Sequence, residues 1–131
     1  MERAILDTSA LIALRDHGPT DLPDEPLITA ITLAELSVGP LVATSDLERA
    51  RRQLLLQTAE TSFQPLPFDE QAARVFGLVA AELRAGGGTR RARSYDALIA
   101  AIALANSLPV YTANPADFAG ISGLKVVPVT A

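Results

Sequence analysis

The chain contains no cysteine, one histidine and one lysine among its 131 residues, and these shortages exclude several kinds of site. Without cysteine there can be no disulfide, no thiolate zinc site and no cysteine nucleophile. A single imidazole, His17, cannot build a histidine-rich metal site. Any bound metal would therefore be held by oxygen atoms, which favours Mg²⁺ or Mn²⁺.

Aromatic side chains are scarce too: four Phe, two Tyr and no Trp. This argues against a broad surface on which nucleic-acid bases stack. The net charge of −4 is also unlike that of a non-specific nucleic-acid binder, which is usually basic. However, every basic residue except Lys125 is an arginine, the better side chain for phosphate, so a nucleic acid would be recognised through its backbone.

The length and the 49% hydrophobic content predict a single globular domain over residues 1–131. Residues 97–116 carry no charge, which resembles a membrane span. Five polar or proline residues interrupt that stretch: Asn106, Ser107, Pro109, Asn114 and Pro115. A buried helix therefore fits better, and acidic residues near the N-terminus argue against a signal peptide. We expect a cytoplasmic protein without membrane association.

Hydrophobic periodicity, caps and breakers predict alternating strands and helices. The predicted strands are Arg3–Leu6, Leu27–Ala30, Phe63–Pro67, Pro109–Thr112 and Lys125–Val129. The predicted helices run from Thr8 to about Arg15, over Thr32–Val38, from Ser45 to about Glu60, from Asp69 to about Ala85, and from Ser94 or Tyr95 to about Ala105. Asp16–Pro26 is predicted as a loop, and Gly39-Pro40 as the end of the second helix. This alternation indicates a parallel sheet covered on both faces.

Four acidic residues stand where a predicted strand ends or a predicted helix begins: Asp7, Glu35, Asp96 and Asp117. Strand C-termini and helix N-termini share one edge of an α/β sheet, the edge at which ligands bind. Carboxylates gathered there repel one another unless a cation neutralises them. The pattern therefore predicts a divalent metal and phosphodiester chemistry.

Each acid has a structural alternative. Asp7 fits an N-cap, Glu35 fits a capping box opened by Thr32, and Asp117 fits an Asx-type turn. Asp96 is harder to explain in this way, because the nine residues after it are all apolar and the helix dipole contributes only about 0.3–1 kcal/mol. The acidic Asp69 also opens a predicted helix, so an acid at a helix start is not by itself specific to the site.

The segment Gly86–Arg93 combines three glycines with Arg90, Arg91 and Arg93. It lacks the Lys-Ser/Thr that completes a phosphate-binding loop, so we interpret the glycines as a helix end. The arginines are either a solvated loop or, since they precede Asp96, contacts for RNA phosphates.

The motifs around these acids resemble those of PIN-domain ribonucleases, in the same order. They are Ile5–Ile12, Thr32–Leu36 with Gly39, Asp96–Ala101, Tyr111–Asn114 and Asp117-Phe118. In length and layout the chain looks like a VapC-type toxin of a type II toxin–antitoxin system. The resemblance implies a PIN-like three-layer α/β sandwich with a central, mainly parallel sheet flanked by helices. It also implies a Mg²⁺- or Mn²⁺-dependent endoribonuclease, a homodimer, and a VapB-like antitoxin that occludes the active site.

Carried over by position, the resemblance assigns catalysis and metal binding to the acidic quartet of Asp7, Glu35, Asp96 and Asp117. It assigns supporting roles to Thr8, Ser9, Thr112 and Asn114. The segment Gly86–Arg93 departs from the family pattern, being longer and more basic than the usual connection.

Two other functions compete with a nuclease. A receiver-type phosphoacceptor domain also gathers acids around Mg²⁺, but it needs an acidic neighbour for Asp7 and a lysine after its last catalytic strand. Here Asp7 has no such neighbour, and Lys125 falls inside the final predicted strand. A catalytically inactive PIN-like module that binds RNA or a partner would differ only in lacking cleavage.

Overall fold

The computed structural model of the chain describes residues 1–18 and 22–129. Four short strands are β1 (Arg3–Leu6), β2 (Glu25–Leu27), β3 (Val110–Thr112) and β4 (Val126–Pro128). Five helices are α1 (Thr8–His17), α2 (Ala30–Val42), α3 (Asp46–Ser62), α4 (Glu70–Ala85) and α5 (Tyr95–Ala105). Two 3₁₀ turns, Arg91–Arg93 and Pro115–Phe118, flank α5 and β3.

The four strands form one sheet in the order β2-β1-β3-β4, and every pairing in it is parallel. Ile5 and Leu6 of β1 pair with Val110 and Tyr111 of β3 at its centre. Their carboxyl ends therefore lie side by side, which brings the segments after β1 and β3 together. The predicted parallel sheet between helical layers is confirmed.

Alternation along β1 divides the core into two layers. Ile5 points into a cluster built with α4 and α5, whereas Ala4 and Leu6 point into a cluster built with α1, α2 and α3. Each fully buried large aliphatic side chain stabilises the fold by about 1.5–3 kcal/mol. Six of the apolar residues after Asp96 are buried in α5, so the predicted buried helix is confirmed. Within the two described ranges, no helix is long and apolar enough to cross a membrane.

The second and third predicted strands differ from those observed. Strand β2 ends at Leu27, where the prediction had it begin, and part of the predicted loop before it, residues 19–21, lies outside the described residues. The predicted strand at Phe63–Pro67 is wrong, because only one parallel bridge forms there, between Thr29 and Leu66. Prolines on both sides of Leu66 lack the N–H groups that further rungs would need.

Helix α2 runs through Gly39-Pro40, where the sequence predicts its end. Proline inside a helix costs about 3 kcal/mol because it lacks the N–H donor and clashes with the preceding turn. Packing against α3 offsets that cost: Pro40 is buried, and the Gly39 carbonyl accepts a bond from Arg52 Nη1 at 3.0 Å. A Cβ at Gly39 would lie only 3.2 Å from Arg52 Cδ, so the glycine permits this close approach.

Helix α4 ends as predicted, and its end is tightly built. Gly87 adopts φ +87°, a left-handed conformation that favours glycine. Its N–H donates to Arg84 O at 3.0 Å, and Gly88 N–H donates to Leu83 O at 2.7 Å. This pair of bonds is a Schellman motif, which satisfies the last carbonyls of the helix.

Candidate active site

Asp7 occupies the first position after β1, beside the end of β3. Its backbone N–H donates to Tyr111 O at 3.0 Å, which continues the pairing of the two strands by one residue. The residue is 3% exposed, so its carboxylate is turned inward at the carboxyl edge of the sheet. A buried carboxylate needs hydrogen-bond donors, and neighbouring residues supply them.

Three donors hold the Asp7 side chain. Its Oδ1 accepts from Ala10 N and Ser9 Oγ, both at 2.8 Å, and its Oδ2 accepts from Thr112 Oγ1 at 2.6 Å. The bond from Ala10 makes Asp7 the N-cap of α1, as the structural alternative predicted. A cap needs that bond alone, so the two hydroxyls fix the carboxylate beyond what the helix requires.

The hydroxyls of Ser9 and Thr112 are themselves fixed by backbone. Each has one hydrogen, which it gives to Asp7, and each oxygen accepts an N–H at 3.0 Å, from Ala113 and Asn114 respectively. The chain leaving β3 is thereby tied to the same carboxylate. Oδ2 of Asp7 accepts one bond from the described residues. Because a carboxylate oxygen can accept two, that oxygen keeps capacity for a further ligand.

Glu35 lies in the second turn of α2, and its Oε1 accepts from Thr8 Oγ1 at 2.8 Å. The capping-box interpretation is wrong, because α2 begins at Ala30 and is capped by Thr29. Thr32 Oγ1 lies 3.1 Å from Thr8 Oγ1 and completes a polar cluster between the two helices. The first residue of α1 therefore holds the carboxylate of α2 toward the sheet edge.

Asp96 lies in the first turn of α5, but Ser94 caps that helix by accepting from Ala97 N at 3.2 Å. The Asp96 carboxylate makes no hydrogen bond within the described residues. Burial first, and then the charges of three other acids, raise its pKa to about 6. Those acids are Asp7, Asp117 and Glu35, in order of effect. The positive charge of Arg91 lowers the pKa in part.

Asp117 lies in the 3₁₀ turn Pro115–Phe118, which buried Phe118 anchors to the core. Its side chain is exposed and makes no hydrogen bond within the described part of the chain, so nothing there supports the Asx-turn alternative. Asn114 begins the turn, with its carbonyl accepting from Asp117 N at 3.0 Å. The structure thus brings all four predicted acids to one edge of the sheet. There the charges of the other three acids raise the pKa of Asp96.

The electrostatics of this edge suit a cation. Burial is the largest cause of the raised pKa of both Asp7 and Glu35, and a neighbouring acid adds to each shift. The oxygen donors are those that hard divalent ions prefer. Across residues 1–18 and 22–129, however, no three acidic or histidine side chains converge as a ready-made metal cage. The carboxylates repel one another, so a divalent cation fits the negative charge of this edge and the chemistry of its oxygen atoms.

A cleft of about 310 Å³ opens beside the quartet, between α1, α2 and α3. Thr8 and Glu35 form the end shared with the acids. Its walls combine aliphatic side chains with charged side chains of both signs: Ile12, Leu36, Leu55, Arg15, Arg52 and Glu48. The edge therefore has room for a ligand larger than an ion.

Comparison with known proteins agrees with this geometry. A family model described as the PIN domain matches residues 4–124, which include all four acids and, apart from Arg3, the first three strands. The chain belongs to the PIN domain family. The resemblance drawn from the sequence motifs is thereby confirmed.

Named relatives of this PIN domain are VapC proteins. Ribonuclease VapC5 of Mycobacterium tuberculosis is 38% identical over 128 residues, covering 95% of this chain and 92% of the relative. A chain in the crystal structure of VapBC-5, a member of the VapBC family of toxin–antitoxin systems from the same species, superposes with a TM-score of 0.84 at 36% identity, covering 98% of this chain and all of that one. A chain of DNA-bound VapBC from Salmonella typhimurium gives 0.79 at 28% identity, with 96% and 97% covered.

The three arginines predicted to be either solvated or in contact with RNA phosphates differ in their surroundings. Arg90 and Arg93 are exposed, and their side chains make no hydrogen bond in the described part of the chain. Arg91 instead donates from Nη2 to two backbone carbonyls, those of Asp117 at 2.9 Å and Ala119 at 2.6 Å. Its guanidinium is therefore already engaged beside the fourth acid.

Thr32, Arg15 and Arg52 also border the site, although no sequence pattern predicted them there. Thr32 is fully buried between two helices, and the arginines line the cleft. The sequence held one signal for this part of the site: Thr32 is a polar residue on the side of α2 that faces the protein interior. Arg52 reaches α2 because α3 packs against it, and the sequence does not show which helices pack together.

Proposed function

We propose that this PIN domain is a divalent-metal-dependent endoribonuclease and the toxin of a toxin–antitoxin pair. The observation that carries the proposal is the gathering of four carboxylates at one sheet edge, where the Asp96 carboxylate accepts no hydrogen bond from the described residues and its pKa is about 6. The VapC5 relative is named a ribonuclease, which supports RNA as the substrate.

Mg²⁺ or Mn²⁺ bound at the quartet would neutralise phosphate charge and lower the pKa of a water molecule that attacks phosphorus. The residues that would hold it are Asp7, Asp96 and Asp117, directly or through water. Asp7 offers Oδ2 from a position fixed by three hydrogen bonds. Asp96 and Asp117 offer carboxylates that no donor occupies among the described residues.

Glu35 has a different task in this proposal, because its carboxylate is fixed by Thr8 at the mouth of the cleft. A carboxylate whose pKa is raised by burial can accept a proton from water more readily than an exposed one. We assign Glu35 to orienting the attacking water and accepting its proton, or to completing the metal site. Thr8, Ser9 and Thr112 support the acids by fixing their orientation.

Arg90 and Arg93 are proposed to contact RNA phosphates beside the site. Both are exposed and free of ion pairs within the described residues. Contacts of this kind add to affinity through release of counterions, so affinity falls steeply as salt rises. Replacing either arginine by glutamine should reduce the slope of log affinity against log salt by about one unit.

The proposed partners are a VapB-like antitoxin that covers the acidic edge and a second copy of this chain. Support for the antitoxin comes from the VapBC toxin–antitoxin systems in which the superposed chains occur. The test is to purify the chain alone and co-expressed with a VapB-like antitoxin, and to measure mass by light scattering. Monomers that form no complex would contradict both partners.

The nuclease proposal is tested by incubating purified protein with total cellular RNA, with and without Mg²⁺ or Mn²⁺, beside the Asp96→Asn variant. Discrete fragments that require metal and vanish in the variant are expected, and sequencing their ends identifies the target. If folded protein with metal leaves every RNA intact, the inactive binding module becomes the better description.

A further inference from the structure

The 3₁₀ turn that carries Asp117 is held by few contacts of its own. Within the turn, Asp117 N donates to Asn114 O at 3.0 Å and Ala119 N donates to Ala116 O at 3.2 Å. The side chain of Asn114 does not cap it. Buried Phe118 anchors one residue, but the direction of its neighbour's carboxylate depends on how the backbone around it is fixed.

A long-range contact supplies that fixation. Arg91 Nη2 donates to Asp117 O and to Ala119 O, which lie on either side of Phe118. One nitrogen carries two hydrogens, so both of its donors are used on this turn. The contact joins segments 26 and 28 residues apart in the chain.

The backbone on both sides of Arg91 is held by hydrogen bonds. The Schellman motif at Gly87 and Gly88 ends α4, and Ala92 N then donates to Gly88 O at 2.9 Å. Ala92 is 1% exposed and packs into the core next to Arg91. The glycine-rich segment is therefore a fixed base for the arginine.

The Nε atom of Arg91 is buried without a hydrogen-bond partner among the described residues. Leaving a buried donor unsatisfied costs free energy. The side chain therefore keeps a conformation that leaves Nε without an acceptor but places Nη2 between the two carbonyls. A guanidinium that served only as a solvated charge would not be held in this way.

We propose that Arg91 is a positioning residue that fixes Asp117 in the acidic quartet by clamping the carbonyls of Asp117 and Ala119. Its predicted role as a phosphate contact becomes secondary, and the departure of Gly86–Arg93 from the family pattern acquires a function. The role toward metal rests on the proposed function, whereas the clamp itself does not.

The first test measures the clamp without reference to metal or RNA. Amide hydrogen exchange of the full chain is compared between wild type, Arg91→Ala, Arg91→Lys and Arg93→Ala. Hydrogen bonds from charged donors are worth roughly tenfold or more in local opening equilibria. Protection at residues 117–119 should fall at least that much in Arg91→Ala, partly in Arg91→Lys, and not in Arg93→Ala. Unchanged protection in Arg91→Ala, or equal loss in Arg93→Ala, would overturn the proposal.

The second test links the clamp to Asp117. Mn²⁺ affinity is measured by electron paramagnetic resonance for wild type, Arg91→Ala, Asp117→Asn and the double variant. Loss of a group that orients a metal ligand typically weakens affinity by about 10–100-fold. Arg91→Ala should show such a loss alone and almost none once Asp117 is already replaced. Additive losses would mean that Arg91 acts elsewhere and would refute the positioning role.

The two tests separate the inference from the proposed function. If wild-type protein binds no Mn²⁺ and cleaves no RNA, the proposed function fails while hydrogen exchange still decides whether the clamp exists. If Arg91→Ala does not fold, Arg91→Lys carries both measurements, since it keeps the charge but loses the planar donor geometry.

Discussion

Asp7 and Asp96 each lie at the start of a helix of the same site, yet their carboxylates are held differently. Asp7 accepts three hydrogen bonds and caps α1. Asp96 leaves the capping of α5 to Ser94 and accepts none within the described residues. Asp7 serves both the fold and the proposed chemistry, whereas Asp96 serves the proposed chemistry and destabilises the metal-free fold. Loss of these two acids should therefore affect stability and activity in different proportions.

The largest expected effect is on activity at Asp96. Asp96→Asn should reduce RNA cleavage by roughly 10³-fold, because it removes an electrostatic group from the proposed site. It should leave metal-free stability unchanged or higher, since it relieves repulsion among the acids. Cleavage rates and thermal melts without metal measure the two quantities. Glu60→Gln, an exposed acid on α3, is the control. Retained cleavage, or a marked loss of stability, would contradict the assignment.

The next effect is on stability at Asp7. Asp7→Ala should lower the free energy of unfolding by about 2–4 kcal/mol, because it removes a cap and the acceptor of two buried hydroxyls. Asp69→Ala is the matched control: Asp69 caps α4 through Ala72 N at 2.9 Å and should cost only about 1 kcal/mol. Urea unfolding without metal compares them. Equal costs would mean that Ser9 and Thr112 add nothing at Asp7.

The third effect is the pH dependence of stability that Asp96 causes. The pKa of Asp96 is about 6 in the folded protein, against 3.8 as its ordinary value. Between these values the folded chain binds more protons than the unfolded chain, so the contribution of Asp96 to stability falls as pH rises from about 4 to 6. Asp96→Asn removes this dependence. Its stability advantage over wild type should be near zero at pH 4 and reach on the order of 2 kcal/mol at pH 7. An advantage that is largest at pH 4 would reverse the sign and exclude this explanation.

The smallest effect concerns Thr8, which holds Glu35 by one hydroxyl. Thr8→Val keeps the shape of the side chain and removes that bond, worth about 1 kcal/mol, so cleavage should fall roughly fivefold. Thr61→Val is the control, because the acceptors of the Thr61 hydroxyl in the described part of the chain are carbonyls of its own helix. Steady-state kinetics on one RNA substrate compares them. If both variants cleave at the wild-type rate, Glu35 does not depend on Thr8 for its orientation.

Asp7 and Asp96 could be found from the sequence because their positions follow from local signals. A short apolar run followed by Asp7 and a helical period predicts a strand end and a cap, and both are observed. Ser94 and the apolar run after Asp96 predict α5 equally well. Parallel pairing of β1 and β3 then brings the two ends together.

The features that could not be predicted depend on contacts between distant residues. Helix α2 continues past Pro40 because Arg52, 13 residues beyond Gly39, bonds the carbonyl there. Propensity alone favours a break at that point. The bonds of Arg91 to Asp117 and Ala119 likewise follow from the fold and have no local signal. In the sequence, a loop arginine that bonds distant carbonyls looks the same as a loop arginine that faces solvent.

The prolines of the sheet have a consequence for self-association. Pro26 lies in β2 and Pro128 in β4, the two outermost strands, and each strand has only three residues. A proline offers no N–H to an incoming strand, so growth by edge-to-edge pairing is disfavoured at both sides. The sheet is thus protected against the cross-β stacking to which short, apolar, parallel strands are otherwise prone. The proposed second copy of this chain would therefore bind through helical surfaces, which leaves the hydrogen-bonding edges of both sheets out of the contact.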